Sequence, residues 1–300
     1  MPTTVRTRRD RCPGAMRPWP AEDGLLVRLR LIGGRIRAVS LRALAEAAER
    51  FGDGRVYVTG RANLQVRGFP GEDGRLTAEA LAALEDAGLL PTRSHELVRN
   101  VMVSPQTGLA GGRADLRGVA DRLDALLCAD PRLAGLPARF LFVLDDGRGD
   151  LLDRPTDLGL VALNPRQARL RIGDARGPVI ALDEAASRLA GLALEFLDAR
   201  GAGPSAAWHV RELRRPLTDA PLETTDTIAP RSSNIQGEME RLGQPSLEDR
   251  WGSVPGGEHV PVPKEGLSRA AIEALTATAD EVIVTPWRGI LVPAAEGGKP

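Results

Sequence analysis

Ten consecutive residues, Thr59-Gly60-Arg61-Ala62-Asn63-Leu64-Gln65-Val66-Arg67-Gly68, hold the side chains best suited to gripping an anion. Strict alternation from Arg61 predicts a strand with Arg61, Asn63, Gln65 and Arg67 on one face and Ala62, Leu64 and Val66 on the other. Two guanidinium forks and two carboxamides suit bidentate hydrogen bonding to carboxylates or a small oxyanion. A strand spaces alternate residues by about 7 Å, so this face fits a large, flat polyanion.

The elements around this row must hold it. Leu25, Val27, Leu29 and Leu31 alternate with Leu26, Arg28 and Arg30, which predicts a strand ending at Gly33-Gly34. Ser40 is positioned to cap a helix whose Leu41, Leu44, Ala45, Ala48 and Phe51 form one stripe, closed by Gly52-Asp53-Gly54. The unit reads strand–helix–strand, and neighbouring strands would place Arg28 and Arg30 beside the Arg61 row. A related pattern returns near the end: a helix from Leu267-Ser268, then Val282 to Val292, with Thr285-Pro286-Trp287-Arg288 matching Thr59-Gly60-Arg61 and one extra residue at Pro286-Trp287. The second copy lacks the Asn, the Gln and the second Arg.

Composition narrows the function. The 300 residues carry 40 Lys+Arg and 40 Asp+Glu, a formal charge of zero, which argues against a general nucleic-acid binder. Only Lys264 and Lys299 are lysines. The two cysteines, Cys12 and Cys128, make no disulfide framework and fall short of the four thiolates of an iron–sulfur cluster. No apolar run is long enough to span a bilayer, and the N-terminus lacks the apolar core of a secretion signal, so a cytoplasmic protein is expected. His95, His209 and His259 show no metal spacing and read as structural. Asp145, Asp146 and Asp150 read as a glycine-assisted acidic turn. Cys128 reads as a small core residue and Cys12 as a free thiol in a tail.

Domain organisation follows from pattern shifts. Residues 1–20 read as a tail, 21–75 as a first half-domain, and 76–215 as an α+β domain. Its helices are predicted at Thr77–Ala87, Asp115–Cys128 and Glu184–Leu197, with strands near 139–144, 158–163, 168–172 and 179–182. Residues 216–260 read as a connection, and 261–300 as a second half-domain.

Arg28-Leu29-Arg30 before Gly-Gly, the TGRANLQVRG run and Arg99-Asn100-Val101 resemble the sulfite and nitrite reductase superfamily. Cys12-Pro13-Gly14, LPARFLFVLDDGRGD (136–150) and VTPWRGILVP (284–293) are similar to its precorrin-3B synthase branch. The resemblance covers about residues 12–210 and 260–293. It implies an α+β fold of repeated ferredoxin-like half-domains with an α+β sirohaem/Fe–S-type domain. It implies sirohaem or iron beside a [4Fe–4S] cluster, and for that branch an oxygen-dependent monooxygenase acting on precorrin-3A in cobalamin synthesis.

By that resemblance, Arg28, Arg30, Arg61, Asn63, Gln65, Arg67, Arg99, Asn100 and Arg139 bind a carboxylated tetrapyrrole or the small anion beside it. Leu141 stands where the reductases carry a second cation, which disfavours a sirohaem-dependent sulfite or nitrite reductase. The family's cluster cysteines are missing from this sequence. The expectation is a precorrin-3B synthase-like oxidoreductase, whole or partial, with a carboxylated tetrapyrrole as substrate and an electron donor or complementary cluster-bearing chain as partner. The rivals are the sirohaem reductase and a non-catalytic tetrapyrrole-binding module.

Overall fold

The computed structural model describes residues 10, 12–217, 223–224 and 250–294. Along the chain run β1 (Trp19–Ala21), β2 (Gly24–Leu29), β3 (Arg35–Arg37), α1 (Ala38–Phe51), β4 (Tyr57–Val58), β5 (Leu64–Phe69), β6 (Gly71–Glu72), β7 (Arg75–Leu76) and α2 (Ala78–Asp86). Next come β8 (Val101–Val103), α3 (Arg117–Ala129), β9 (Phe142–Asp145), β10 (Leu158–Asn164), β11 (Gln167–Ile172), β12 (Ala175–Ala181), α4 (Ala185–Ala199) and β13 (Glu223–Thr224). The last are β14 (Gly252–Val254), β15 (Gly257–Pro261), α5 (Arg269–Leu275), β16 (Glu281–Val284) and β17 (Gly289–Pro293). The fold is α+β. Two compact units form: a bipartite one from Arg11–Asn100 with Gly252–Pro300, and a second from Val101–Trp251 with the residues up to Asp10. Residues 252–260, within the stretch read as a connection, form β14 and most of β15; residues 225–249 lie outside the described residues.

The bipartite unit contains the repeat. Its two sheets have strand orders β1-β2-β5-β4 and β14-β15-β17-β16-β3. Each copy lends one segment to the other, β3 to a sheet and Leu267 to an isolated bridge. β3, directly after the first copy's glycine turn, pairs antiparallel with β16. In return Leu267, directly before α5, exchanges both backbone hydrogen bonds with Val56, at 3.0 and 2.8 Å. Leu29, Leu64 and Val66 of one copy and Val282, Val284 and Ile290 of the other enter a single core under α1 and α5. The predicted stripe holds there: Leu41, Leu44, Ala45 and Ala48 are buried.

The helix start differs from the expectation. α1 begins at Ala38, Ser40 lies in its first turn, and no side chain caps it. The Ala38 N–H instead donates to the Asp280 carbonyl at 2.7 Å. A backbone acceptor delivered by the other copy replaces the local cap, a long-range substitution that propensity does not reveal.

The repeat is also tighter than the sequence alignment suggests. Thr59 N–H donates to the Asn63 carbonyl and Thr285 N–H to the Gly289 carbonyl, each at 2.9 Å; Ala62 N–H to Thr59 O and Arg288 N–H to Thr285 O are both 3.1 Å. Ala62 (φ 55°) and Arg288 (φ 64°) both take the left-handed conformation. The two five-residue turns therefore superpose with no extra residue: Trp287 corresponds to Arg61, and Arg288 to Ala62.

In the second unit β8, β9 and β10 run parallel, and β10, β11, β12 and β13 antiparallel. Phe140, Phe142 and Phe196 pack as a ring cluster, with centroids 5.3 and 4.8 Å apart. Met102, Leu141, Val143 and Leu151 form a smaller buried group.

Candidate functional site

The site is built on the antiparallel ladder of β2 and β5. Arg28 stands directly across from Gln65, and Tyr57 flanks Gln65 from β4. Direct cross-strand partners share a face, so Arg28, Gln65 and Tyr57 form one row over three strands. Arg28 Nη2 donates to Gln65 Oε1 at 3.2 Å. The Tyr57 hydroxyl donates to Asp53 Oδ2 at 2.7 Å. Burial and that bond push the Tyr57 phenol up to about 12, so it stays protonated. Arg67 lies two residues beyond Gln65, on the same face, and pairs with Asp23 at 3.1 Å. The acidic partner missing from the run itself comes from the β1–β2 turn.

Arg28 is the key group. Its Nε is shut off from solvent and has no hydrogen-bond partner among the described residues. Burial lowers its pKa most; the Arg61 guanidinium pushes the same way and Cys12 opposes them. A half-buried guanidinium with an unused N–H, close enough to feel a second guanidinium, calls for an anion.

The continuous alternation from Arg61 does not hold. Arg61, Ala62 and Asn63 belong to the five-residue turn, and β5 starts at Leu64. The positive φ of Ala62 resets the phase. Asn63 is 1% exposed and turns inward, its Oδ1 accepting from Leu31 N–H at 2.9 Å. It fastens the turn to the end of β2 and is not on the face of Gln65.

Arg30 also turns inward. Its Nη1 donates to the Pro13 carbonyl at 3.1 Å and its Nε to Asn100 Oδ1 at 3.2 Å. Asn100 Nδ2 in turn donates to the Leu97 carbonyl at 3.1 Å. The buried Glu96 carboxylate accepts from Ala15 and Met16 N–H at 2.8 and 3.0 Å. Arg30, Asn100 and Glu96 thus stitch the Cys12-Pro13-Gly14 segment beside β2, which sets Cys12 within electrostatic reach of Arg28. Cys12 is anchored and not part of a loose tail. Arg99 is also buried. Arg30, Asn63 and Asn100 position the face, while Arg28, Gln65 and Arg67 compose it and Arg61 stands at its edge. Sequence reasoning missed Tyr57, Asp23 and Glu96. Tyr57 carried a readable signal, being two residues before Thr59 on the preceding strand.

Arg139 belongs to the other unit, where its guanidinium lies 5.7 Å from the Trp208 ring centroid. Leu141, at the position expected for a second cation, is buried in the apolar group of Met102 and Val143.

The acidic turn follows β9. Oxygens of Asp145, Asp146 and Asp150 lie within 4.8 Å of one another. Asp145 accepts from Gly147, Gly149 and Leu151 N–H, and Asp146 pairs with Arg148 at 2.8 Å. Both are spent on the turn. Among the described residues Asp150 accepts from the Ser104 hydroxyl alone, at 2.7 Å. Burial, then the Asp145 charge, raises it to about 7. A carboxyl raised above its unfolded value binds more protons when folded, so stability falls as pH rises from about 4 to 7, by at most about 1.4 kcal/mol per pH unit. The urea midpoint of the wild type minus that of Asp150→Asn should fall across that window, since the difference isolates this carboxyl.

Three comparisons bear on this geometry. Residues 19–84 match the nitrite/sulfite reductase ferredoxin-like half domain. The chain is 40% identical over 85 residues to a precorrin-3B synthase of Sinorhizobium sp, covering 28% of this chain and 18% of that protein. It is 31% identical over 147 residues to a ferredoxin–nitrite reductase of Leptolyngbya laminosa, covering 47% and 28%. A third, the Synechococcus elongatus ferredoxin–nitrite reductase, is 33% identical over 130 residues, covering 41% of this chain and 25% of that one. Each alignment thus spans less than a third of the curated relative. The structure of the Mycobacterium tuberculosis NirA protein has the same fold, with a TM-score of 0.62 at 18% identity, covering 91% of this chain and 54% of that one. The half-domain match lies over the Arg28–Gln65 face, so residues 19–84 are similar to the nitrite/sulfite reductase ferredoxin-like half domain, and the fold is shared along most of the chain.

Proposed function

We propose that this chain is a precorrin-3B synthase-like oxidoreductase that binds a carboxylated tetrapyrrole of cobalamin synthesis through the Arg28–Gln65–Arg67 face. One observation carries the reading: the half-buried Arg28 guanidinium, bonded to the Gln65 carboxamide and within electrostatic reach of a second guanidinium, Arg61. A carboxylate at the accessible part of the Arg28 guanidinium would relieve the repulsion between it and Arg61. Arg67, held by Asp23, offers a second cation farther along the strand, as a ligand with several acidic arms requires.

Carboxylate arms fit these residues; a resident [4Fe–4S] cluster does not. Such a cluster takes four thiolates, and this sequence has two cysteines, on different units. No step is therefore assigned to a cluster held by these residues. The protein's own part is to hold and orient the macrocycle. The burial of Leu141 removes the second cation that a sulfite or nitrite reductase site would place there, so a tetrapyrrole substrate is favoured over a small oxyanion.

Fluorescence titration with uroporphyrin III, an octacarboxylate, tests the reading against its octamethyl ester. The acid should bind at least about tenfold tighter, the equivalent of one charge-assisted contact. Equal affinity for acid and ester would overturn the reading.

A further inference from the structure

The two superposed turns carry their flanking strands into register as well. Gln65 and Leu291 each stand six residues past the threonine that opens the turn, and Tyr57 and Ile283 each two residues before it. The ladders match accordingly. Arg28 and Tyr57 flank Gln65; His259 and Ile283 flank Leu291. His259 is therefore the counterpart of Arg28, and Trp287 of Arg61. Leu64, Val66 and Ile290 enter the shared core, so alternation sends Gln65 and Leu291, with their cross-strand partners, to its other side.

The repeat keeps one contact and exchanges its chemistry. In the first copy the turn-tip Arg61 lies close enough to Arg28 for the two charges to interact. In the second the turn-tip Trp287 meets His259 edge to face, with ring centroids 6.1 Å apart at 69°. His259 is 5% exposed, and its Nε2 lies 2.9 Å from the Thr285 hydroxyl, which ties it to the opening of its own turn. Trp287 stays partly exposed. The two turns abut: a Cβ on Gly60 would lie 3.9 Å from the Pro286 carbonyl oxygen. A guanidinium pair and an indole thus stand at adjoining turns of one unit.

We propose that Trp287 is a stacking platform for the conjugated ring of the anionic ligand, set beside the cations that take its carboxylate arms. An indole face offers dispersion and quadrupole contact to a flat ring and does not read its arms. Guanidiniums read the arms and not the ring. Trp287, held edge-on by His259, supplies the first and Arg28 with Arg61 the second, so the doubled unit gives one ligand site an aromatic half and a cationic half. The inference rests on the proposed tetrapyrrole reading for the identity of the ring.

The test is fluorine NMR of the full chain labelled with 5-fluorotryptophan, which carries four tryptophans, with Trp287 assigned by Trp287→Phe. Uroporphyrin III should shift the Trp287 resonance more than the other three, through the ring current of a stacked macrocycle. Butane-1,2,3,4-tetracarboxylate, which has carboxylates and no ring, should leave it in place. In titrations followed by porphyrin fluorescence, Trp287→Leu should weaken uroporphyrin binding about fivefold or more, the scale of one aromatic pair, and Trp287→Phe by less. Leucine keeps an apolar contact, so the difference between the two variants isolates the ring. Should Trp287→Leu not fold, the fluorine shift of the wild-type chain decides by itself. If uroporphyrin binds more tightly than its octamethyl ester while Trp287 is unmoved, or while Trp287→Leu binds as tightly as wild type, the platform is wrong and the arginine face stands. If acid and ester bind equally and both shift Trp287, the platform stands and the carboxylate reading falls. If uroporphyrin does not bind, both fall.

Discussion

Arg28→Ala should lower uroporphyrin affinity by about 1.5–3 kcal/mol, roughly 10- to 150-fold, as expected for a hydrogen bond to a charged group. The loss should exceed that of Arg67→Ala, because Arg67 is 40% exposed and its charge is already balanced by Asp23, whereas Arg28 is more deeply buried and feels the Arg61 charge. Arg28→Lys should recover part of the charge but not the fork, since a lysine cannot hold Gln65 and a carboxylate with the planar geometry of a guanidinium. The check is a fluorescence titration at two ionic strengths. An Arg28→Ala protein that binds as tightly as wild type would remove this residue from the site. Gln65→Ala offers an independent reading, since it removes the neighbour that orients Arg28 while leaving the charge.

The second large effect concerns stability. Gly34→Ala should destabilise the bipartite unit by about 2–5 kcal/mol, combining the cost of a left-handed non-glycine residue with that of overpacking. Gly34 has φ +73°, and a Cβ there would collide with the Val284 carbonyl oxygen and press on the Ala62 side chain. Its own carbonyl accepts from Val284 N–H at 2.8 Å. The crossing of the two copies passes through this glycine. A shift in the urea midpoint worth less than about 1 kcal/mol would show that the crossing yields easily. Gly74→Ala is the control. It shares the positive φ, but a Cβ there meets nothing within 4 Å, so only the conformational cost remains.

What could be read from the sequence depended on whether the cause was local. The apolar stripe of α1 and the Thr77 cap of α2, which accepts from Ala80 N–H at 3.3 Å, follow from spacing within a few residues, and both appear as expected. That Arg28 would share a side with the Arg61 row if the two strands were neighbours followed from alternation on each; its partnership with Gln65 did not. The start of α1 did not, because its first N–H is satisfied by Asp280, more than two hundred residues away. The inward turn of Asn63 was hidden because an Ala at φ 55° interrupts what looks like unbroken alternation. The roles of Arg30 and Glu96 were hidden because their partners, Pro13 to Met16, lie in a stretch that composition marks as a tail.

The traded segments, β3 to a sheet and Leu267 to an isolated bridge, have a consequence for dissection. Neither lobe owns all of its own edge, so severing the polypeptide between residues 224 and 250 separates no self-sufficient halves. Each fragment would carry a strip that belongs to its counterpart and would lack the strip it needs. Supplied together, the two pieces should find each other and rebuild the whole, as interlocked parts of a single ancestral doubling.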